Sequence, residues 1–185
     1  SMKNCFGMTP ATIYGTGAGV DEPSEMPKGG RDMIHSGHRQ PSKSAPPEKD
    51  PSSPRDGGYR VPRVVVDLVA ARPIDLSIVE GVKTMVGAEG PWSHESVAAV
   101  NPGVIVAGTN PVATDAVCAA VMGYDPMADR GTPPFESCDN TLRLAEAVGI
   151  GTRDLRRIEV VGTPLKYARF DFAAVRRQRR SPSSR

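Results

Sequence analysis

The stretch of residues 17–62 constrains the fold most, because it holds fifteen glycine or proline residues and one aromatic residue, Tyr59. Pairs such as Pro46-Pro47 are turn signals, and the stretch shows neither helical nor strand periodicity. A stretch of this length inside a compact domain is either a functional loop or a disordered segment. We therefore predict a long irregular loop over residues 17–62, with most of the regular structure after it.

Helices and strands alternate in the second half of the chain. Apolar residues at helical spacing predict amphipathic or buried helices that begin near Val61, Ala113 and Asn140. Short apolar runs predict buried strands at residues 76–79, 104–107 and 157–161. Strands that alternate with helices favour a three-layer α/β fold, in which helices pack on a mostly parallel sheet.

Local signals mark the ends of two of these helices. Thr109 or Asn110 is a suitable N-cap for the helix at Ala113, and a glycine at position 123 ends it. Asp139 or Asn140 is a suitable cap for the next helix, which a glycine at position 149 ends. These boundaries follow from short-range chemistry alone.

Charge is distributed unevenly along the chain. The 23 basic and 21 acidic residues give a formal net charge of +2, but five arginines lie in the last ten positions. We predict a disordered basic tail at residues 176–185, attached to a single α/β domain at residues 1–175. Nucleic-acid binding by this tail is the least favoured function, because no basic stripe interleaved with aromatic residues accompanies it.

Composition and motifs exclude several classes of protein. No apolar run approaches eighteen residues, so the sequence predicts no membrane span. Cys5, Cys118 and Cys138 lie far apart without a C-x-x-C pair, so the sequence predicts neither a disulfide framework nor a zinc knuckle. The chain lacks a G-x-S-x-G nucleophile elbow and a Walker A sequence, and the run at residues 15–19 lacks the context of a nucleotide loop.

Polar residues follow the apolar runs at residues 76–79 and 104–107, where strands of an α/β sheet would end. Glu80 and Gly81 follow one run, and Gly108, Thr109 and Asn110 follow the other. Ligands gather at the carboxyl ends of strands in such sheets, and a helix N-terminus there offers N–H groups to an anion.

Each acidic candidate has a structural alternative. Asp115 lies near the start of a predicted helix, where a negative charge complements the helix dipole. This structural role explains the residue about as well as a ligand role does. Glu80, directly after an apolar strand, needs a donor or a cation, and Lys83 is a local partner for it. Glu89 is consistent with a solvated loop residue. The His35 and His38 pair fits a surface pair better than a metal site.

Four motifs in order resemble one known family. They are residues 2–7, residues 75–81, residues 87–91 and residues 108–117, the last continuing to Pro126. This order is similar to the domain-of-unknown-function family 362 of bacteria and archaea, which shows a K-N-x-x-G segment, a strand ending in D-G, a G-x-G-P turn and an A-G-x-D-P-V-A-x-D-A helix start. The resemblance covers the chain from its first residue to about Thr163.

The chain departs from the family pattern at three places. Glu80 stands where the family usually has aspartate, and Asn110 stands where aspartate is common. A K-x-H element that usually precedes the K-N-x-x-G segment is not in the sequence, so we expect this chain to be the C-terminal portion of the family domain. Some relatives contain a ferredoxin-type module, but the cysteine spacing here predicts no iron–sulfur cluster.

The resemblance implies a site formed by Lys3, Asn4, Glu80 and Asp115. The leading hypothesis is an enzyme-like unit, linked to redox chemistry, that binds a small-molecule or anionic ligand at the sheet edge. Lys3, Glu80 and Asp115 would be catalytic, and the two carboxylates would hold a divalent metal such as magnesium or manganese. Its ligand-binding residues would be Asn4, Gly81, Gly108, Thr109 and Asn110.

The alternative hypothesis is a non-catalytic binding or scaffold module. It is favoured because the sequence contains no recognisable nucleophile–base pair. A sheet edge without its strand partner also favours self-association, so a homo-oligomer is compatible with either hypothesis. The cytoplasm is the default location, and export would need a signal before the first residue.

Overall fold

A computed structural model describes residues 1–8, 56–87 and 97–175. Most of the predicted loop, His35, His38, Glu89 and the basic tail lie outside the described residues. The described helices are a 3-10 helix (Met2–Met8), α1 (Gly57–Ala71), α2 (Pro111–Val121), α3 (Thr141–Ala147), a 3-10 helix (Leu155–Arg157), α4 (Leu165–Ala168) and a single helical turn at residues 172–175. The strands are β1 (Ser77–Gly81), β2 (Thr84–Val86), β3 (Ala98–Val100) and β4 (Val104–Gly108).

Helix α1 begins earlier than the sequence predicts. The carboxylate of Asp56 accepts a hydrogen bond from the N–H of Tyr59 at 3.1 Å, so Asp56 is the N-cap. The helix therefore includes Gly57 and Gly58, which the turn signals place in the irregular loop. An Asp-Gly-Gly sequence fits a cap as well as it fits a turn, and the packing of the following helix decides between them.

Gly58 and Pro62 together allow another segment to approach the first turns of α1. Pro62 lies inside the helix and has no N–H, so the carbonyl of Gly58 lacks its usual partner four residues on. The N–H of Asp139 donates to that carbonyl at 2.8 Å instead. A Cβ on Gly58 would lie 1.9 Å from the carbonyl oxygen of Ser137, so the approach requires glycine.

The four strands form two antiparallel ribbons of two strands each, one after the other. Strand β1 pairs with β4 from Ser77 opposite Gly108 to Gly81 opposite Val104, and β2 pairs with β3. Two residues separate β1 from β2, whereas three residues, 101–103, separate β3 from β4. The extra residue makes this junction a bulge, which fits the proline and the positive-φ glycine found there.

The mostly parallel three-layer sheet is not supported, because both described strand pairs are antiparallel. Parallel neighbours need a long crossover, but the chain between β1 and β4 contains the β2 and β3 strands instead. The predicted strand at residues 157–161 is also corrected. Leu155–Arg157 is a 3-10 helix, and residues 158–161 pair with no described strand. The described part of the chain is mixed α/β.

Two apolar clusters hold these elements together. Helix α1 packs against the N-terminal 3-10 helix and α3, while α2 contacts α3 and β4. The larger cluster consists of Met2, Phe6, Val65, Val66, Val69, Val112, Ala116, Leu142 and Ala145. The smaller one joins the β2 and β3 strands to the end of the described chain through Val86, Ala98, Val100 and Phe172. Among the described helices, none has the length and apolarity needed to cross a membrane.

Candidate functional site

The β1 and β4 strands have one covered face and one exposed face. Side chains of a strand point alternately to its two faces, and in both strands burial alternates in the same way. Helix α2 contacts both strands. The exposed face bears Ile78 and Ile105, whose exposed fractions are 65% and 64%. These two isoleucines therefore have matched environments on neighbouring strands.

One edge of β4 pairs with β1, and the strand borders a groove that we call the β4 groove. Residues 158–163 form the opposite wall, and two residues of α4 extend it. Four residues of α2 contribute to the lining between these walls: Ala113, Thr114, Val117 and Val121. The cavity has a volume of about 520 Å³. It therefore lies between a strand edge and a second run of chain, with a helix beside both.

The end of β4 shapes one end of the groove. A Cβ on Gly108 would lie 2.5 Å from Oγ1 of Thr114, so a side chain there would displace the threonine. Thr114 is held in place because its hydroxyl donates to the carbonyl of Asn110 at 2.8 Å. Gly108, Thr109 and Asn110, which the sequence predicts as ligand-binding residues, all line the groove. Thr109 is exposed there.

Asn110 is the N-cap of α2. The sequence allows either Thr109 or Asn110 in this role, and the structure has Asn110. Its Oδ1 accepts from the N–H of Ala113, and its Nδ2 donates to the carbonyl of Ile150, each at 2.9 Å. Gly151 packs closely against this amide, because a Cβ there would lie 2.2 Å from Oδ1. The bond to Ile150 needs an N–H donor, which an ionised aspartate lacks. This contact explains why asparagine suits the position in this chain.

Asp115 connects α2 to the start of the described chain. It lies beyond the first turn of α2, which contains no acidic residue, so complementing the helix dipole does not explain its position. Its carboxylate accepts from the amino group of Ser1 and, at 2.9 Å, from the N–H of Met2. Asp115 thus fixes the beginning of the N-terminal 3-10 helix, whose exposed residues include Lys3 and Asn4.

Glu80 binds the turn that follows its own strand. It is exposed, so the cost of an unpaired buried charge, which motivates a ligand role for it, does not apply. Its Oε1 accepts from the N–H of Val82 at 2.6 Å and of Lys83 at 3.3 Å. Gly81 faces Val104 across the ribbon and does not line the β4 groove.

The two predicted metal ligands therefore bind different backbone segments. Glu80 and Asp115 share no hydrogen-bond partner. Within residues 1–8, 56–87 and 97–175, no group of three His, Cys, Asp or Glu side chains is arranged to hold a metal ion. The catalytic and metal roles of Lys3, Glu80 and Asp115 stay predictions.

Two of the cysteines are held in the thiol form. Burial, together with the nearby charge of Asp115, raises the pKa of Cys118 to about 11. Burial also raises the pKa of Cys138, against the effect of the Arg130 guanidinium. Neither side chain is a thiolate at neutral pH, so neither has the activation of a catalytic nucleophile.

Sequence analysis does not reveal a polar network behind α3. Asn140, predicted as a cap, is buried and also donates to the carbonyls of Pro126 and Ala128, each at 2.8 Å. Arg153 is buried as well, and it donates to Glu146 and to the carbonyl of Met127 at 3.2 Å. No periodicity or motif marks an arginine as buried, because its partners are carbonyls distant in sequence.

A second ionic cluster joins α1 to the segment before α3. Arg130 contacts the carboxylates of Asp56 and Asp139, and Arg63 donates to Asp139 at 2.6 Å. The Arg63 guanidinium also lies 3.5 Å from the centre of the Tyr59 ring. The charges of two arginines and two aspartates balance, so the cluster has the composition of a structural ion-pair network.

These features define a mixed α/β domain with a mainly apolar groove, lined by one charged residue, beside an edge of β4 that no other described strand pairs with. The family model described as domain of unknown function (DUF362) matches residues 1–120 of this 185-residue chain. The chain belongs to the DUF362 family, which confirms the resemblance seen in the sequence. The match includes β4 and nearly all of α2, whereas the opposite wall of the groove lies beyond it. No curated protein and no solved structure gives a significant match.

Proposed function

We propose that this chain is a non-catalytic binding unit of the DUF362 family, and that its ligand occupies the β4 groove. The observation that supports this most is the position of the groove. It lies where β4 ends and α2 begins, and Gly108, Thr109 and Asn110 line it. Its volume of about 520 Å³ falls within the range of ligand pockets, roughly 300 to 1,000 Å³.

The lining of the groove indicates the chemistry of the ligand. Glu159 is the one charged residue among those that line it. The other side chains there are apolar or small, and the polar groups are hydroxyls, one amide and the backbone of both walls. An elongated ligand that is largely apolar and has hydrogen-bonding groups along its sides matches this lining.

The positions of the reactive side chains favour binding over catalysis. The carboxylates of Glu80 and Asp115 are used in backbone contacts, and the thiols of Cys118 and Cys138 are protonated. A general base must lie within reach of the proton that it removes, and neither carboxylate lines the groove.

The enzyme-like hypothesis makes its own prediction about metal content. If Glu80 and Asp115 hold a divalent metal, protein purified without chelator retains it, and Glu80→Gln and Asp115→Asn each lose it. On our proposal the three proteins show equal, negligible amounts of metal by elemental analysis. Stoichiometric metal that both substitutions abolish would contradict the non-catalytic proposal.

A neutral dye tests the groove as a binding site. Nile red fluoresces in apolar surroundings, so titration with the full chain measures access to an apolar cavity. Ile105 lines the groove, so we expect Ile105→Glu to weaken dye binding by about tenfold, the effect of losing one isoleucine contact that the dye would bury. Ile78→Glu is the matched control, because Ile78 is equally exposed but lies outside the groove. Equal dye binding by both variants would overturn the proposal.

A further inference from the structure

We propose that the ligand of the β4 groove is an extended polypeptide strand, which inserts between β4 and residues 158–162 and joins the two walls into one sheet. This inference rests on the proposed function, since it names the class of ligand that the groove binds. Three properties of the groove support it, one for each wall and one for the α2 surface.

The first wall is the open edge of β4. In an antiparallel pair the N–H and C=O groups of alternate residues point toward the partner strand, and those of the residues between point away from it. Among the described strands β4 pairs with β1 alone. Half of its backbone groups are therefore directed at the groove, where they form a template for another strand.

The second wall has the sequence of a strand but no partner. Residues 158–161 run without helix, turn or bend, and Ile158 has extended angles of φ −111° and ψ 118°. The backbone of residues 159–162 makes no hydrogen bond with any described residue. Val160 and Val161 are 38% and 86% exposed. β-branched residues favour strands, so this segment is ready to pair when a strand lies beside it.

The surface of α2 would cover the inserted strand from one side. Ala113, Val117 and Val121 are spaced four residues apart, so they lie in a row along the helix. Helix α2 contacts β4, and it also contacts Leu155–Arg157 and α4, which adjoin the second wall. A strand between the walls would place alternate side chains on this apolar row, as strands of an α/β sheet do on the helix that covers them.

The same lining specifies the side chains of the strand. Positions directed at α2 must be small or β-branched and apolar, because the helix presents alanine and valine there. Glu159, the single charged residue of the lining, favours one basic residue on the strand. The expected partner is thus a neutral to basic extended segment with apolar residues at every second position.

A designed peptide tests this inference on the full chain. The probe is the capped hexapeptide Thr-Val-Lys-Val-Thr-Val, labelled for fluorescence anisotropy. Its controls are the same peptide N-methylated at alternate residues, in either register, because each pattern removes the N–H donors of one edge. We expect saturable one-to-one binding that weakens at least about tenfold on either methylation, the effect of losing two or more hydrogen bonds.

Protein variants make the outcome specific. Ile105→Glu should weaken peptide binding about tenfold and Ile78→Glu should leave it unchanged, with cooperative thermal melts verifying that both remain folded. Glu159→Lys should reverse the charge preference, so that it binds the peptide with glutamate in place of lysine more tightly than wild type does. A reversed charge preference would show that the peptide binds in a defined orientation beside residue 159, and not by non-specific association with the protein.

Different experimental results would contradict the binding proposal and the strand inference. If Nile red binds in the groove and the peptide does not, the strand inference is wrong and the binding proposal stands. Equal binding of the methylated and unmethylated peptides would also overturn the strand inference. If neither probe distinguishes Ile105→Glu from Ile78→Glu, both proposals fail. A dimer of the free chain that Ile105→Glu dissociates would identify a second copy as the occupant and overturn the inference.

Discussion

At Gly58 the space for a side chain matters more than helix propensity. In an ordinary helix interior, replacing glycine with alanine stabilises a protein by roughly 0.5–1 kcal/mol. Here the new Cβ would lie 1.9 Å from the carbonyl oxygen of Ser137, a backbone atom that moves only with its segment. We expect Gly58→Ala to lower the free energy of unfolding by about 1–3 kcal/mol, as overpacking does.

Urea unfolding of Gly58→Ala measures this effect, and Gly7→Ala is its control. Gly7 lies in the N-terminal 3-10 helix, where a Cβ would meet nothing within 4 Å. Gly7→Ala should therefore leave stability unchanged or slightly raised. If Gly58→Ala proves as stable as the wild type, the close approach of the segment before α3 to α1 is not as described.

Glu146 gives the stability of the chain a dependence on acid. The hydroxyl of Thr152 donates to its carboxylate at 2.7 Å, and the backbone and guanidinium of Arg153 donate as well. These contacts hold the pKa of Glu146 below its ordinary value of 4.5. A carboxylate with a lowered folded-state pKa stabilises the fold above its unfolded-state pKa, and loses this effect as pH falls through the folded value.

Substituting Glu146 isolates this contribution. We expect Glu146→Gln to be less stable than the wild type at neutral pH, and the difference to shrink in acid well below pH 4.5, as the wild-type carboxylate becomes protonated. Denaturant unfolding of both proteins at the two pH values measures the difference. A difference that stays constant with pH would show that the carboxylate charge has no part in the stability.

At the level of elements, Asn110 links two parts of the fold through one side chain. Asn110→Ala removes both the cap of α2 and the donor to Ile150, so we expect a loss of about 2–3 kcal/mol. Asn110→Ser keeps a cap acceptor but does not reach Ile150, so it should lose about half as much. Thermal and urea unfolding rank the variants. Equal stability of the alanine and serine variants would contradict a separate role for the bond to Ile150.

Helix ends could be predicted from the sequence because capping is local chemistry. Asn110 caps α2 and Asn140 caps α3, and glycines with positive φ follow both helices. The start of α1 cannot be predicted in this way, because it depends on Asp139 and Ser137, far along the chain, which pack against Gly58. A cap, a turn and a loop share the same residues, and tertiary contacts select among them.

The strands show a different limit of sequence analysis. The apolar runs predict β1 and β4 correctly, but an apolar run does not specify whether the neighbouring strand is parallel or antiparallel to it. Direction is set here by the β2 and β3 strands and by the bulge at residues 101–103. The run at residues 158–161 has strand composition without a described partner. A pattern indicates that a segment suits a sheet, whereas pairing depends on what lies beside it.

The candidate site was predictable in part for the same reason. Gly108, Thr109 and Asn110 follow a strand and precede a helix, and that local arrangement places them on the groove. The partner of Asp115 is the backbone near Met2, more than a hundred residues away in sequence. Such a contact leaves no spacing signature, so the sequence could not separate a structural carboxylate from a catalytic one.

At the scale of the whole molecule, the proposed binding of a strand requires an open sheet edge. A two-stranded sheet is marginally stable by itself, and β1 and β4 are covered by α2 on one face. A strand inserted beside β4 would join residues 158–162 to them and make four strands in one sheet. A ligand that binds the folded chain alone also raises its melting temperature, so we expect the hexapeptide to stabilise the chain in proportion to its occupancy.

Amide hydrogen exchange along β4, followed by NMR, tests this central claim most directly. In the free chain we predict slow exchange at alternate residues of Val104–Gly108, because only those amides bond to β1. Saturation with the hexapeptide should slow exchange at the remaining β4 amides and at amides within residues 159–162. Uniform protection of β4 before the peptide is added, or an unchanged pattern afterwards, would contradict the open edge and its occupant.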